Sequence, residues 1–204
     1  MIHWLTWISR YAVWIGGAGI IASAVLVTIE VIIRKFFGMS MAGADEVSGY
    51  LFAIGTVWAM PFALLRRANV RIDVLYAVLP RGIRVVLDFV ALILLATFVA
   101  VVFWHGSKMF IDSVENWTRS ITPMQTPQAI PQVFWIAGLG LFLITALVLL
   151  AAAFAALLRG DLATIGRLIG ARTQEEELVE EISSLDLPSV ADDQNGDPTD
   201  GKDR

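Results

Sequence analysis

Cysteine is absent from this chain, and with it any disulfide framework or thiolate chemistry. Only two histidines occur, His3 and His105, far apart and each near the edge of an apolar run, which leaves neither a zinc site nor a haem pair. No phosphate-cradling loop, nucleophile elbow or HExxH stretch is present, so the chain is expected to be no enzyme and to hold no cofactor or metal. Charge is scarce too. Charged residues make up 17% of the chain against 57% hydrophobic, too few for a water-exposed domain of ordinary composition.

What the chain has is apolar length. Four runs, 11–33, 47–65, 83–104 and 133–158, are each long enough at about 1.5 Å per residue to cross a hydrocarbon core of about 30 Å. Lipid offers the backbone no hydrogen-bond partner, so each run is expected to be helical, and the short alternating segments of a membrane barrel are missing. The sequence therefore predicts an all-α integral membrane protein with four transmembrane helices within a domain over 1–172. Arg10 ahead of the first run and the small residues Ala22, Ser23 and Ala24 within it resemble a signal peptide. The run continues to Ile33, past the roughly 7 to 15 residues of a signal core, and is read as an uncut anchor, with Trp4 and Trp7 in the headgroup belt before it.

Charge asymmetry gives the orientation. Residues 173–204 hold 11 acids and two bases, leaving 13 bases against eight acids upstream; this acidic tail is expected to be disordered and cytoplasmic. Arg66, Arg67, Arg71, Arg81 and Arg84 crowd the second connection. With Arg10, Arg159, Arg167 and Arg172 they put nine bases on one side, against Arg34, Lys35, Lys108 and Arg119 on the other, which makes both termini cytoplasmic. The loop arginines would also meet anionic headgroups of the bilayer. Three short amphipathic segments are expected at the interface: the alternating Val70, Ile72, Val74 and Leu75; Phe110, Val114, Trp117 and Ile121 after the third run, ended by Pro123, Pro127 and Pro131; and Leu162, Ile165, Leu168 and Ile169.

Inside the runs, Ala18 with Ala22 and Gly19 with Ser23 put small residues four apart, which lets another helix approach. Gly55 and Trp58 read as packing and interface residues, and Pro61 as a kink. Glu30 and Asp88 are ionisable groups within apolar runs and so candidates for an ion pathway. Arg34 and Arg84 lie one turn from them, and local pairing is the simpler account. Asp45 and Glu46 open the second run, where the helix dipole favours acids and Asp45 could cap; a salt bridge from Glu46 to another subunit is the alternative.

The order of features is more specific than any one of them: FGMS at 37–40, an acidic pair before VSGYL at 47–51, LLRRANVRID at 64–73, and LP at 79–80. In that order they resemble the small membrane subunit of tripartite ATP-independent periplasmic (TRAP) transporters, the DctQ-like family, over roughly 11–158. Asn69 stands where members usually carry histidine, while Arg71 and Asp73 match. The resemblance implies a subunit of the bacterial inner membrane that carries no substrate itself. It would brace a large permease subunit that holds the substrate and sodium sites, in uptake of an organic acid delivered by a periplasmic substrate-binding protein, with no nucleic acid among its partners. Arg66, Arg67, Arg71 and Asp73 would then orient the subunit and meet lipid or the large subunit, with Glu46, Trp58 and Trp117 as further contact candidates. Two rivals stand beside it: an autonomous proton-coupled transporter using Glu30, and a membrane-anchored interaction protein acting through its acidic tail.

Overall fold

The computed structural model describes residues 2–41, 43–67 and 79–170. Arg71, Asp73, the alternating segment 70–75 and the tail 173–204 lie outside them. The described residues form α1 (Ile2–Phe37), α2 (Ala44–Leu65), α3 (Arg81–Glu115), α4 (Ala129–Leu158) and the short α5 (Leu162–Ile169). The first four are long and apolar enough to cross a membrane. Two outgrow that requirement: α1 and α3, with 36 and 35 residues, extend for more than 50 Å, well beyond a core of about 30 Å.

The ends of these helices follow from local chemistry. At the end of α3, Trp117 adopts φ +49°, and the amides of Trp117 and Thr118 bond back to Val114 O and Ser113 O. This is a Schellman turn with tryptophan at the position where glycine is usual. The helix therefore ends at Glu115, before Trp117 and Ile121, which were expected to continue it, and ahead of the prolines expected to end it. Pro127 instead joins a β-bridge with Arg119, and Pro131 sits in the first turn of α4, where its missing N–H costs nothing. The same device closes α4, with Gly160 at φ +70° and its amide on Leu157 O at 3.0 Å. α2 begins at Gly43, with φ +118° and no side-chain cap, so Asp45 is a first-turn acid and not the cap.

The helices pack in the order α1, α2, α4, α3, with α5 against α3 and α4. On α1 the buried residues are Ser9, Ala12, Gly16, Ser23 and Glu30, a seam of small and polar side chains at spacings of three, four or seven. Gly16 meets Gly55 of α2 backbone to backbone: a Cβ on Gly16 would lie 2.8 Å from Gly55 O, and one on Gly55 would lie 2.6 Å from Gly16 O. On α4, Phe142, Ala146, Leu149, Ala153 and Ala156 repeat the pattern and form the core with Leu92, Ala96 and Val99 of α3 and Leu64 of α2. Pro61 is deeply buried within an unbroken α2. α5 was expected to lay its apolar face on the membrane. Ile165 and Ile169 are instead buried in the same core, because α3 and α4 offer them a protein surface.

Gly55→Val should force α1 and α2 apart and cost about 1–3 kcal/mol, visible as a drop of several degrees in the melting midpoint of the purified protein. Gly17→Val is the control, since a Cβ there meets nothing within 4 Å, and it should leave the midpoint unchanged.

Candidate functional site

Polar side chains are few in this bundle, and the structure gathers several of them into ties between the α1–α2 hairpin and the α3–α4 hairpin. At the end that carries both short loops, Glu46 in the first turn of α2 faces the connection 116–128. Its Oε1 accepts the Tyr50 hydroxyl at 2.7 Å, and its Oε2 accepts the hydroxyl of Thr122. The Ser120 and Thr122 hydroxyls lie 2.9 Å apart. The connection is itself ordered by Ser120 N–H to Thr126 O at 2.9 Å and Gln128 N–H to Thr118 O at 3.0 Å. Gly43 sits against Met124 so closely that any Cβ would collide with its sulfur. Glu46 thus fixes the start of α2 to the connection of the other hairpin.

In the middle of the bundle, the Trp58 indole N–H donates to Phe134 O at 2.8 Å. That carbonyl points along α4 towards Gly138, where a Cβ would lie 2.7 Å from the indole ring. The absence of a side chain at 138 makes room for the indole.

At the arginine end, Arg67 adopts φ +54°, a conformation that costs a non-glycine residue about 1–2 kcal/mol, and its guanidinium donates to Gly166 O of α5 at 3.2 Å. Arg66 is exposed, with its guanidinium 5.9 Å from the centre of the Phe62 ring. These two neighbours differ in kind: Arg67 ties α2 to α5, and Arg66 faces outward. Trp117 is 83% exposed beside the Glu46 tie.

The two carboxylates within apolar helices are both buried. Glu30, 4% exposed, accepts the Ser40 hydroxyl and the Met41 amide, both at 2.7 Å. It closes the α1–α2 loop, with Arg34 contributing charge from one turn away; the expected i,i+4 pair is not its main partner. Arg84 donates its Nε to Leu79 O at 2.6 Å, bracing the start of α3, one turn before the buried Asp88. Among the described residues no group of three or more His, Cys, Asp or Glu could hold a metal ion. Glu46, Trp58 and Arg67, expected from the sequence to meet lipid or the large subunit, here bond within the chain, to Thr122, Phe134 and Gly166; these partners are each at least 76 positions away, and no local pattern marks them.

If Glu46 and Thr122 act as one tie, Glu46→Gln and Thr122→Val should each lower hydrogen-exchange protection of the Ser120 and Gln128 amides by about tenfold, as loss of a charged hydrogen bond predicts. The double variant should lose little more than either alone, and full additivity would show that the two side chains act separately.

These features can be set beside known proteins. A family model described as tripartite ATP-independent periplasmic transporters, DctQ component, matches residues 23–156. No curated protein and no solved structure matches the chain. The match spans more than half of the chain and takes in α2, α3, nearly all of α4 and the C-terminal part of α1, including both partners of the Glu46 and Trp58 ties and Arg67 itself. The chain therefore belongs to the DctQ family, as a small permease subunit of TRAP transporters and a multi-pass component of the inner membrane.

Proposed function

We propose that this subunit is the static brace of its transporter. It would hold a large permease subunit in place while that subunit performs sodium-coupled uptake of an organic acid delivered by a periplasmic binding protein. The supporting observation is the set of three ties, Glu46 with Thr122, Trp58 with Phe134 and Arg67 with Gly166. They join the two hairpins at one end and in the middle, and α2 to α5 at the other end. A moving carrier needs helices that separate; ties at successive depths oppose separation. With both termini cytoplasmic, as the arginine count favours, Arg66 would face lipid headgroups or the large subunit, together with Arg71 and Asp73. Trp117 would offer an exposed anchor to a partner on the opposite side.

A proton carrier built on Glu30 would need that carboxylate to exchange protons through a cavity. Both of its oxygens already hold the α1–α2 loop, which favours a structural role. Deleting 173–204 should leave uptake largely intact, in contrast to a protein that acts through its acidic tail.

The test is a tagged pull-down from native membranes in mild detergent, combined with uptake by the Glu30→Gln variant. The brace account expects a large permease at near-equal amount and uptake reduced by less than tenfold, in line with loss of one hydrogen bond. Recovery of this chain alone, with flux that Glu30→Gln abolishes, would establish the carrier instead.

A further inference from the structure

One face of α3 changes character along its length. Leu94, Phe98, Val101 and Trp104 are exposed at spacings of three or four, an aliphatic and aromatic stripe turned away from the core residues Leu92, Ala96 and Val99. His105 and Lys108 follow, both exposed. Trp104 lies twenty residues after Arg84, about 30 Å along the helix, which is the thickness of the hydrocarbon core. If Arg84 marks one membrane boundary, Trp104 marks the other, and Lys108, one turn further on, is at the depth of the phosphates.

The Lys108 ammonium stands 5.0 Å from the centre of the Trp104 ring. The acid one turn beyond is not its partner: Asp112 Oδ1 accepts the Asn116 side-chain amide at 2.8 Å, and Asn116 also donates to Asp112 O at 3.1 Å. Lys108 therefore keeps an outward-facing positive charge that the described residues do not neutralise. Beside it are the indole N–H of Trp104 and the His105 ring, both able to donate. An ammonium steadied on an aromatic face, with further donors around it, is a receptor for an anion. On a lipid-facing surface at this depth the anion at hand is a phosphodiester.

We infer that Trp104, His105 and Lys108 form a seat for the headgroup of an anionic phospholipid, in the leaflet opposite to the one that faces the arginine loop. An anionic headgroup is preferred over a zwitterionic one, because a zwitterionic headgroup brings its own cation and gains less from Lys108. This seat is separate from the arginine cluster at the other end of the bundle, and it would fix the height of α3 in the membrane while α5 and Arg67 fix the opposite end.

The test places a photo-crosslinking residue one turn below the seat, as Val101→p-benzoylphenylalanine, in the full chain. The protein is reconstituted in nanodiscs of phosphatidylcholine with a minority of phosphatidylglycerol and, separately, kept in native membranes with its partner chains. Mass spectrometry of the adducts should show phosphatidylglycerol enriched about fivefold over its share of the bilayer, the effect of one lysine at the surface. Adding Lys108→Gln should remove the enrichment, Lys108→Arg should restore it, and Arg119→Gln should leave it unchanged. Adducts in proportion to bilayer composition would overturn the inference. So would a protein adduct that replaces the lipid one in native membranes, because the seat would then hold an acidic side chain of a partner.

Discussion

Helices in lipid gain nothing from hiding apolar surface against one another, since acyl chains are as apolar as leucine. Their association rests on close fit and on polar bonds, and here both converge on a single turn of α2. Gly55 lets the α1 backbone touch the α2 backbone. Val57 and Trp58, two and three residues later, cover Gly138 of α4, and the indole bonds to Phe134 O. α2 is thus the helix through which the two hairpins meet. Loss of fit at this turn would free α1 on one face and the α3–α4 pair on the other. The ties at the ends have leverage only because this crossing holds.

The ends are secured differently. Glu46 and Glu30 both spend a carboxylate on loops, Glu46 on the α3–α4 connection and Glu30 on the α1–α2 connection. Each is a charged acceptor meeting neutral donors, a stronger arrangement than a neutral pair. At the arginine end, α5 folds back onto α3 and α4, and Arg67 reaches it from α2. On the proposed brace function, such a frame would serve transport by staying rigid beside a subunit that moves.

The four membrane helices were legible because lipid thickness imposes a length and a composition on any segment that crosses it. Their full extents were less so. Hydropathy reports where the hydrocarbon is; the helical spacing of Phe110 and Val114 carried the third helix beyond it, whereas no such pattern marked the full length of α1 from Ile2 to Phe37. The amphipathic pattern of 162–169 identified a helix, but periodicity says that one face is apolar and not what covers it. The small residues of α1 pointed to a close approach; which of them makes it, Gly16 more tightly than Gly19, depends on the rotation of α1 against α2. Glu30 and Glu46 stood out as acids in apolar surroundings. Sequence spacing favoured Arg34 and the helix dipole as their partners. The chosen partners, Ser40, Met41 and Thr122, become neighbours only after the hairpins close.

Rigidity between the hairpins is the central claim, and the absence of cysteine makes it directly measurable. Spin labels at Thr28→Cys on α1 and Ile111→Cys on α3, both exposed positions, would report the distance between the hairpins by pulsed electron resonance in the assembled transporter. A brace predicts one narrow distance distribution that does not change on adding sodium, binding protein or substrate. A second population, or a shift that follows substrate, would show that the two hairpins move against each other and would contradict the account.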